Sequence, residues 1–187
     1  MYLKLTVGLV TACMLNVGAF AAIAAPKPNP ARPATQTSPQ VSNQLSEQNI
    51  RQVLATIQAA IDKKDVAGVM RYMAPFAHSE VTVESDDGRL TVNVDGQEDH
   101  RLLLTQSLGQ IQNSASLNRQ IRIRMSPDGQ MAIATIFRAR DVTTQQGQRY
   151  YSVGTDTIRF ALVNNQPRIV SMSLNGWVAS RPSLKPQ

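Results

Sequence analysis

Residues 117–178 constrain the fold more than any other part of the sequence, because apolar and polar residues alternate there through four consecutive segments. A period of two is typical of β-strands that bury one face and expose the other. Turn-forming residues separate the segments at positions 126–129, 145–148 and 164–167. The pattern predicts a four-stranded antiparallel meander whose apolar face must be covered by the rest of the chain.

Two amphipathic helices are predicted before this meander. The first carries apolar residues at the spacing of one helical face, namely Ile50, Val53, Leu54, Ile57 and Ile61. The second follows Asp65, a residue suited to capping a helix, and its apolar residues are Val66, Val69, Met70 and Met73. Pro75 is expected to end the second helix.

A short hairpin and a third helix are predicted between these helices and the meander. Apolar residues alternate on both sides of a turn at residues 86–88, which predicts the hairpin. Leu104, Leu108 and Ile111 form the apolar face of the third helix. The sequence therefore predicts an α+β fold in which three N-terminal helices pack in the concave face of a curved, mainly antiparallel sheet.

The two ends of the chain differ from its middle. Residues 1–24 contain a basic residue, an apolar run and a small-residue ending, which predicts a signal peptide and an exported protein, either periplasmic or secreted. Cys13, the only cysteine, ends a sequence that also resembles a lipobox. Residues 25–44 are rich in proline and predict a disordered linker, residues 45–180 are the expected folded domain, and residues 181–187 are an expected disordered tail.

The formal net charge of +6 belongs mostly to the ends of the chain. Residues 45–180 contain 14 of the 19 basic residues and all 13 acidic residues, so this part is close to neutral. A nearly neutral domain lacks the general basic surface that a phosphate backbone attracts. We therefore expect no nucleic-acid partner, and we expect no membrane span in the folded domain.

The order of these elements, together with two local sequences, resembles the NTF2-like superfamily. The local sequences are the junction at residues 63–66 and the paired segments 156–160 and 168–172. The resemblance covers about residues 45–178, and the superfamily includes ketosteroid isomerase, scytalone dehydratase and SnoaL-like proteins. It implies a cone-shaped fold with an internal pocket, but not one reaction, because many members have no known activity.

Ketosteroid isomerase is similar in its final hairpin, where an aspartate corresponds to Asp156. That aspartate donates to a developing oxyanion, and the role requires a carboxyl group that apolar neighbours keep protonated. The resemblance implies this role for Asp156 and places the general base near Ser85 or Asp86. Ile57 occupies the position of the isomerase's tyrosine, so that role has no counterpart. The alternative is that Asp156 is an inward polar residue bonded to the backbone or to a ligand.

His78 and His100 are the only histidines. Without a cysteine in the mature chain they would need several carboxylates to form a structural zinc site, so we expect no metal, and we expect no cofactor. His100 lies at the start of the third helix, where it is either a base or proton relay near the pocket mouth or a solvated residue. His78 belongs to no motif and is expected to be a hydrogen-bonded loop residue.

Four arginines are predicted to share the outward face of the sheet if Met125 pairs near Met131, and they are Arg122, Arg124, Arg138 and Arg140. Alanines lie among them, which favours contact with another sheet over a phosphate track. We therefore predict a homodimer through this outward face. The alternatives are an anionic partner and an ordinary solvated surface.

The direction of Asp156 depends on the register of two hairpins. The final hairpin aligns Asp156 with Leu174 on the face to be buried. A simple second turn would instead place Ile133 and Phe137 inside and send Asp156 outside. A β-bulge between residues 142 and 155 would bring all three to the inner face, so we predict that bulge and an inward Asp156.

These observations favour an exported, noncatalytic domain that binds a small apolar or amphipathic ligand in its cone. The residues predicted to line the site are Ile57, Phe137, Asp156, Ile158 and Met172. One alternative is an isomerase-, dehydratase- or hydrolase-type enzyme that uses Asp156 with Asp86 or His100. Another is a protein-interaction or dimerisation module, which a cone filled by side chains would favour.

Overall fold

The structure is a computed structural model that describes residues 44–181. Its helices in this range are α1 (Glu47–Asp62), α2 (Val66–Met70) and α3 (Gly96–Gln110). Its strands there are β1 (Met73–Ser85), β2 (Gly88–Asp95), β3 (Ile111–Met125), β4 (Met131–Thr144), β5 (Arg149–Val163) and β6 (Gln166–Arg181). The predicted α+β class is confirmed, whereas the predicted signal peptide, nearly all of the predicted linker and the final residues lie outside the described part.

Side-chain caps begin the first two helices. The Ser46 hydroxyl accepts a hydrogen bond from the backbone N–H of Asn49, and the Asp65 carboxylate accepts one from the N–H of Gly68. The helix α2 ends three residues before Met73, which had been predicted to belong to it. Pro75 instead lies in β1, where the pairing with β6 is interrupted between Met73 and His78, so no ladder hydrogen bond requires its missing N–H.

The six strands form one curved sheet in the order β2-β1-β6-β5-β4-β3. All neighbours are antiparallel except β1 and β6, which are parallel. The predicted meander is therefore β3 to β6. The predicted hairpin of β1 and β2 extends the same sheet along its last strand.

The register around β4 differs from the prediction. Met125 pairs with Ala132 rather than near Met131, because the hydrogen bond from the Ser126 N–H to the Met131 carbonyl closes a four-residue turn. The β4–β5 ladder runs without a shift from Met131–Ala161 to Thr143–Arg149, so the predicted β-bulge is wrong. Asp156 pairs with Ile136 and faces inward, as predicted.

This register exchanges the two faces of β4. Ile133 and Phe137 were predicted inside, but both lie on the outer face and are 37% exposed. Arg138 and Arg140 were predicted outside, but each is only 1% exposed and faces inward. The small side chains of Ala132 and Ala134 take the inner positions instead, beside the helices.

Two apolar clusters fill the inner side of the sheet. The larger one joins the apolar faces of the helices to inner sheet residues that include Ile136, Ile158 and Phe160. The smaller one consists of Val81, Val83, Ile111, Val142, Leu174 and Val178. Along β4, Arg138 and Arg140 lie between Ile136 of the larger cluster and Val142 of the smaller one.

Candidate functional site

An apolar cavity of about 40 Å³ lies inside the larger cluster, between the helices and the inner sheet face. Its lining includes Ile57, Ser79, His100, Asp156, Ile158 and Met172. Pockets that enclose small-molecule ligands usually measure about 300–1,000 Å³. This cavity therefore has room for a few water-sized groups and not for a whole ligand.

Asp156 is held at the wall of this cavity by a buried ion pair. Arg138 Nε donates to Asp156 Oδ2 at 2.6 Å, and Arg138 Nη2 donates to Oδ1 at 2.8 Å. Because both carboxylate oxygens accept, the geometry is that of an ionised aspartate paired side-on with a guanidinium. It does not match the protonated carboxyl group that an isomerase-like role requires.

The ion pair depends on a glycine. Gly154 is the cross-strand partner of Arg138 on β5, and Asp156 follows it on the same face. A Cβ atom at Gly154 would lie 3.4 Å from Arg138 Nη2 and 2.5 Å from the backbone oxygen of Asn175. Because Gly154 has no side chain, the Arg138 guanidinium has room to pass over it and reach Asp156.

His100 is buried at the cavity and bonded at both ring nitrogens. Its Nδ1 lies 2.5 Å from the carbonyl oxygen of Gly96, which can only accept, so Nδ1 carries the hydrogen. Its Nε2 lies 2.7 Å from Ser79 Oγ and accepts from that hydroxyl in the neutral ring. The predicted base therefore lies inside the fold and not at a solvated mouth, as the 2% exposure of His100 shows.

The remaining predicted site residues divide between this cavity and the surface. Ile57, Ile158 and Met172 line the cavity with Asp156 and His100. Phe137 does not, because it lies on the outer face of the sheet. Asp86 lies in the exposed turn between β1 and β2, outside the cavity. His78 is exposed and bonded to Asp95, with 2.7 Å between Nδ1 and Oδ1.

A second, polar cleft of about 380 Å³ lies where the end of α1 meets the start of β3. The polar cleft is lined by Ile61, Asp62, Lys64, Leu108, Ile111, Gln112, Asn113, Ser114, Ala115 and Ser116. Lys64 is held there in a left-handed backbone conformation, and its Nζ donates to the Ile111 carbonyl at 2.6 Å. Ile61 lines both the polar cleft and the apolar cavity, so the two spaces are neighbours.

Arg140 is the residue whose burial the sequence did not predict. Among residues 44–181, no acceptor forms a hydrogen bond with any of its three guanidinium nitrogens. The pKa of Arg140 is lowered to about 9: burial is the largest cause, the nearby Arg138 also lowers it, and Asp156 raises it. Its own face of β4 also carries Ala134 and Ile136, but the opposite face carries Ile133 and Phe137, so the alternation did not show which face is buried.

Within residues 44–181, no three histidine, cysteine, aspartate or glutamate side chains lie close enough together to hold a metal ion.

No helix in the described range has both the length and the apolar character needed to cross a membrane.

Comparisons with known proteins separate sequence from fold. No protein-family model matches the sequence, and no curated protein matches it. Solved structures are nevertheless similar. A scytalone dehydratase-like protein from Novosphingobium aromaticivorans DSM 12444 gives a TM-score of 0.59 at 9% identity, over 75% of this chain and 94% of that chain.

Two further structures support the same fold. The hexachlorocyclohexane dehydrochlorinase LinA-type3 from Novosphingobium barchaimii LL02 gives a TM-score of 0.55 at 12% identity, over 75% of this chain and 92% of that one. An NTF2-like superfamily protein from Salmonella enterica serovar Typhimurium LT2 gives a TM-score of 0.54 at 16% identity, over 75% of this chain and 95% of that one. The chain thus has the NTF2-like fold that its sequence resembles, and at these identities the similarity shows the fold alone.

Proposed function

We propose that this chain, which has the NTF2-like fold, is a noncatalytic domain that binds a small amphipathic ligand at the polar cleft. The observation that carries the proposal is the cleft itself, whose volume of about 380 Å³ lies in the range of small-molecule sites. Its wall combines apolar side chains, such as Leu108, with hydroxyl and charged groups. The ligand site is thus shifted from the cone, where it was predicted, to the neighbouring cleft.

The groups that could perform acid–base chemistry support the noncatalytic part of the proposal. Arg138 occupies both oxygens of Asp156, and Gly96 and Ser79 occupy both ring nitrogens of His100. A substrate would have to reach them inside a cavity of about 40 Å³. The dehydrochlorinase with a similar fold shows that the fold can support an enzyme. In this chain, however, the candidate groups already form hydrogen bonds with other side chains and with the backbone.

Native mass spectrometry of the protein purified from its own host tests the proposal. We expect a small molecule to remain bound to the wild-type chain. Ser116→Trp should remove it by filling the polar cleft, whereas Gln120→Trp, on an exposed position of the same strand, should not. A wild-type chain with no bound molecule, or one equally retained by Ser116→Trp, would overturn the proposal.

A second candidate function, a dimerisation module, is favoured by the outer face of the sheet. Ile133, Phe137 and Trp177 are each at least 37% exposed there, and large exposed apolar groups on one surface mark interaction sites. Arg122 and Arg124 remain on this face, as predicted. We propose a homodimer through it. Light scattering at high micromolar concentration should give a dimer for the wild type and a monomer for Phe137→Ser; a wild-type monomer would contradict this.

We also propose that the protein is exported and cleaved after Ala24, which rests on the sequence of residues 1–24. The mature chain would then begin at Ala25, and the proline-rich linker would precede the folded domain. Intact mass of the exported protein measures this directly. A mass that includes a lipid on Cys13 would show instead that the lipobox is used.

A further inference from the structure

Arg140 holds a buried positive charge that the described protein does not pair. It lies 1% exposed between Ser116 of β3 and Ser152 of β5, its cross-strand partners, and neither serine accepts from it. Asp156, the one carboxylate among the buried side chains of the described residues, already receives two hydrogen bonds from Arg138. A buried charge without a partner is strongly unfavourable, so a position that retains one calls for a counter-ion.

The surrounding charges increase this demand. Arg119 is the cross-strand partner of Arg138, so its side chain shares the inner face with Arg138 and Arg140. The pKa of Arg119 is lowered to about 10, because burial lowers it more than Asp156 and Asp62 raise it. Arg119 and Arg138 thus bring two further positive charges to the face that holds Arg140. The carboxylates that act on Arg140 are Asp156, which is buried, and Asp62, which is exposed at the end of α1.

The polar cleft lies next to this excess charge. Ser116 lines the cleft and is the direct partner of Arg140, and Asp62 lines it and acts electrostatically on Arg140. Because directly opposed residues of an antiparallel pair share a face, these two relations place Arg140 next to the cleft, inward of the residues that line it. The pairing of this wall with β4 shifts between Ile111 and Asn113 and again between Ser116 and Asn118, so β3 is irregular on both sides of residues 113–116.

We propose that the polar cleft binds the oxyanion of its ligand, a carboxylate or phosphate group, through the guanidinium of Arg140 with Ser116 and Lys64. This inference rests on the proposed ligand-binding function, because it assigns the chemical class of the ligand. A guanidinium offers paired donors that match the oxygens of either anion. Water can accept from the same N–H groups, but a neutral molecule does not offset the repulsion between Arg140 and Arg138.

Simple anions test this without knowledge of the whole ligand. Inorganic phosphate and sodium acetate are titrated into the purified protein at constant ionic strength set with chloride, and the backbone amides are followed by NMR. We expect both anions to shift the amides of Ser114 and Ser116 in a saturable way. The stronger of the two identifies the ligand's group as phosphate or carboxylate.

The variants identify the residue responsible. Arg140→Met should lower the affinity for the anion at least about tenfold, because the loss of a charge-assisted hydrogen bond lowers an affinity by more than this factor. The affinity of Arg140→Lys should lie between those of Arg140→Met and the wild type. Arg122→Met, on the exposed face of β3, should leave the affinity unchanged. Equal affinity in Arg140→Met and the wild type, or no saturable shift at the two serines, would overturn the inference.

The inference and the proposed function fail in different ways. A neutral molecule retained by the protein from its host would support a ligand site and overturn the assignment of an anion. A retained molecule with a carboxylate or phosphate group, lost in Arg140→Met, would support both. Saturable anion binding at Arg140 in a chain that retains no molecule from its host would support the anion site and contradict the proposed function.

Discussion

Arg138 and Arg140 occupy neighbouring inward positions on β4, but their surroundings differ. Arg138 has a glycine opposite it on β5 and reaches Asp156 with two hydrogen bonds. Arg140 has Ser152 opposite it on β5 and, within the described residues, makes no hydrogen bond through its guanidinium. The first arginine lies beside the apolar cavity and the second next to the polar cleft.

The difference separates a structural charge from a functional one. At Arg138 the fold supplies the partner, so the charge contributes to a fixed arrangement of the inner face. At Arg140 the described part of the fold supplies burial without a partner, which lowers the stability of the free protein and favours any state that brings an anion. The following substitutions test this distinction, from the largest expected effect to the smallest.

Asp156→Ala should have the largest effect, because it leaves Arg138 buried without a partner. Removing one member of a buried ion pair lowers the free energy of unfolding by about 3–5 kcal/mol. Denaturant unfolding measures the change. If the double variant Arg138→Met/Asp156→Leu is close to the wild type, the loss comes from the stranded charge; a wild-type-like Asp156→Ala would show that the ion pair does not hold the site.

Gly154→Ala should be the next most destabilising, by about 2–3 kcal/mol, because the new Cβ would lie 2.5 Å from the Asn175 carbonyl oxygen. It would also crowd the path of the Arg138 guanidinium. Gly109→Ala is the matched control, since a Cβ there meets open space on α3 and alanine favours a helix. Thermal unfolding should rank Gly154→Ala below the wild type and Gly109→Ala at or above it.

Substitutions at two buried serines compare a hydroxyl at the apolar cavity, that of Ser79, with a hydroxyl beside Arg140, that of Ser152. Ser79→Ala should lower the free energy of unfolding by about 1–2 kcal/mol, because His100 Nε2 loses its donor; the cavity beside it can admit a water molecule, which limits the loss. Ser152→Ala should be neutral, because among the described residues its hydroxyl has no hydrogen-bond partner. Equal losses in the two variants would contradict the comparison.

Arg140→Met should unfold at higher denaturant than the wild type near pH 7, and this advantage should depend on pH. Below pH 9, Arg140 is charged in both states of the wild type, and its burial costs stability. Above about pH 9 the folded state releases this proton before the unfolded state does, so wild-type stability rises relative to the variant. The difference in free energy of unfolding between Arg140→Met and the wild type should decrease by at most about 1.4 kcal/mol per pH unit. Arg122→Met, an exposed control, should show no such decrease.

Local patterns in the sequence were sufficient for the elements and for part of the site. The spacing of Ile50, Leu54 and Ile57 predicts α1, and the alternation at residues 117–178 predicts the meander. Pairing Asp156 with Leu174 in the last hairpin predicts the inward direction of Asp156, which the structure confirms. These features follow from periods of 3.6 and 2, which neighbouring residues alone determine.

The faces of β4 could not be read in this way, because both carry apolar residues. Ile133 and Phe137 alternate with Ala132, Ala134 and Ile136, so either face is a plausible inner one. A shift of one residue in the turn after Met125 exchanges the two. The structure selects the smaller side chains for the inside, and this choice brings the two arginines with them.

What the sequence determined by itself, then, is the set of elements, their order and the resemblance to the NTF2-like fold. The tertiary structure alone decided that Arg138 pairs with Asp156, that Arg140 is buried without a hydrogen-bond partner among residues 44–181, and that the larger space is the polar cleft rather than the cone. The physical reason is that a charge is tolerated inside only according to its neighbours in space. Those neighbours come from β3, β5 and α1, at distances along the chain that no local pattern records.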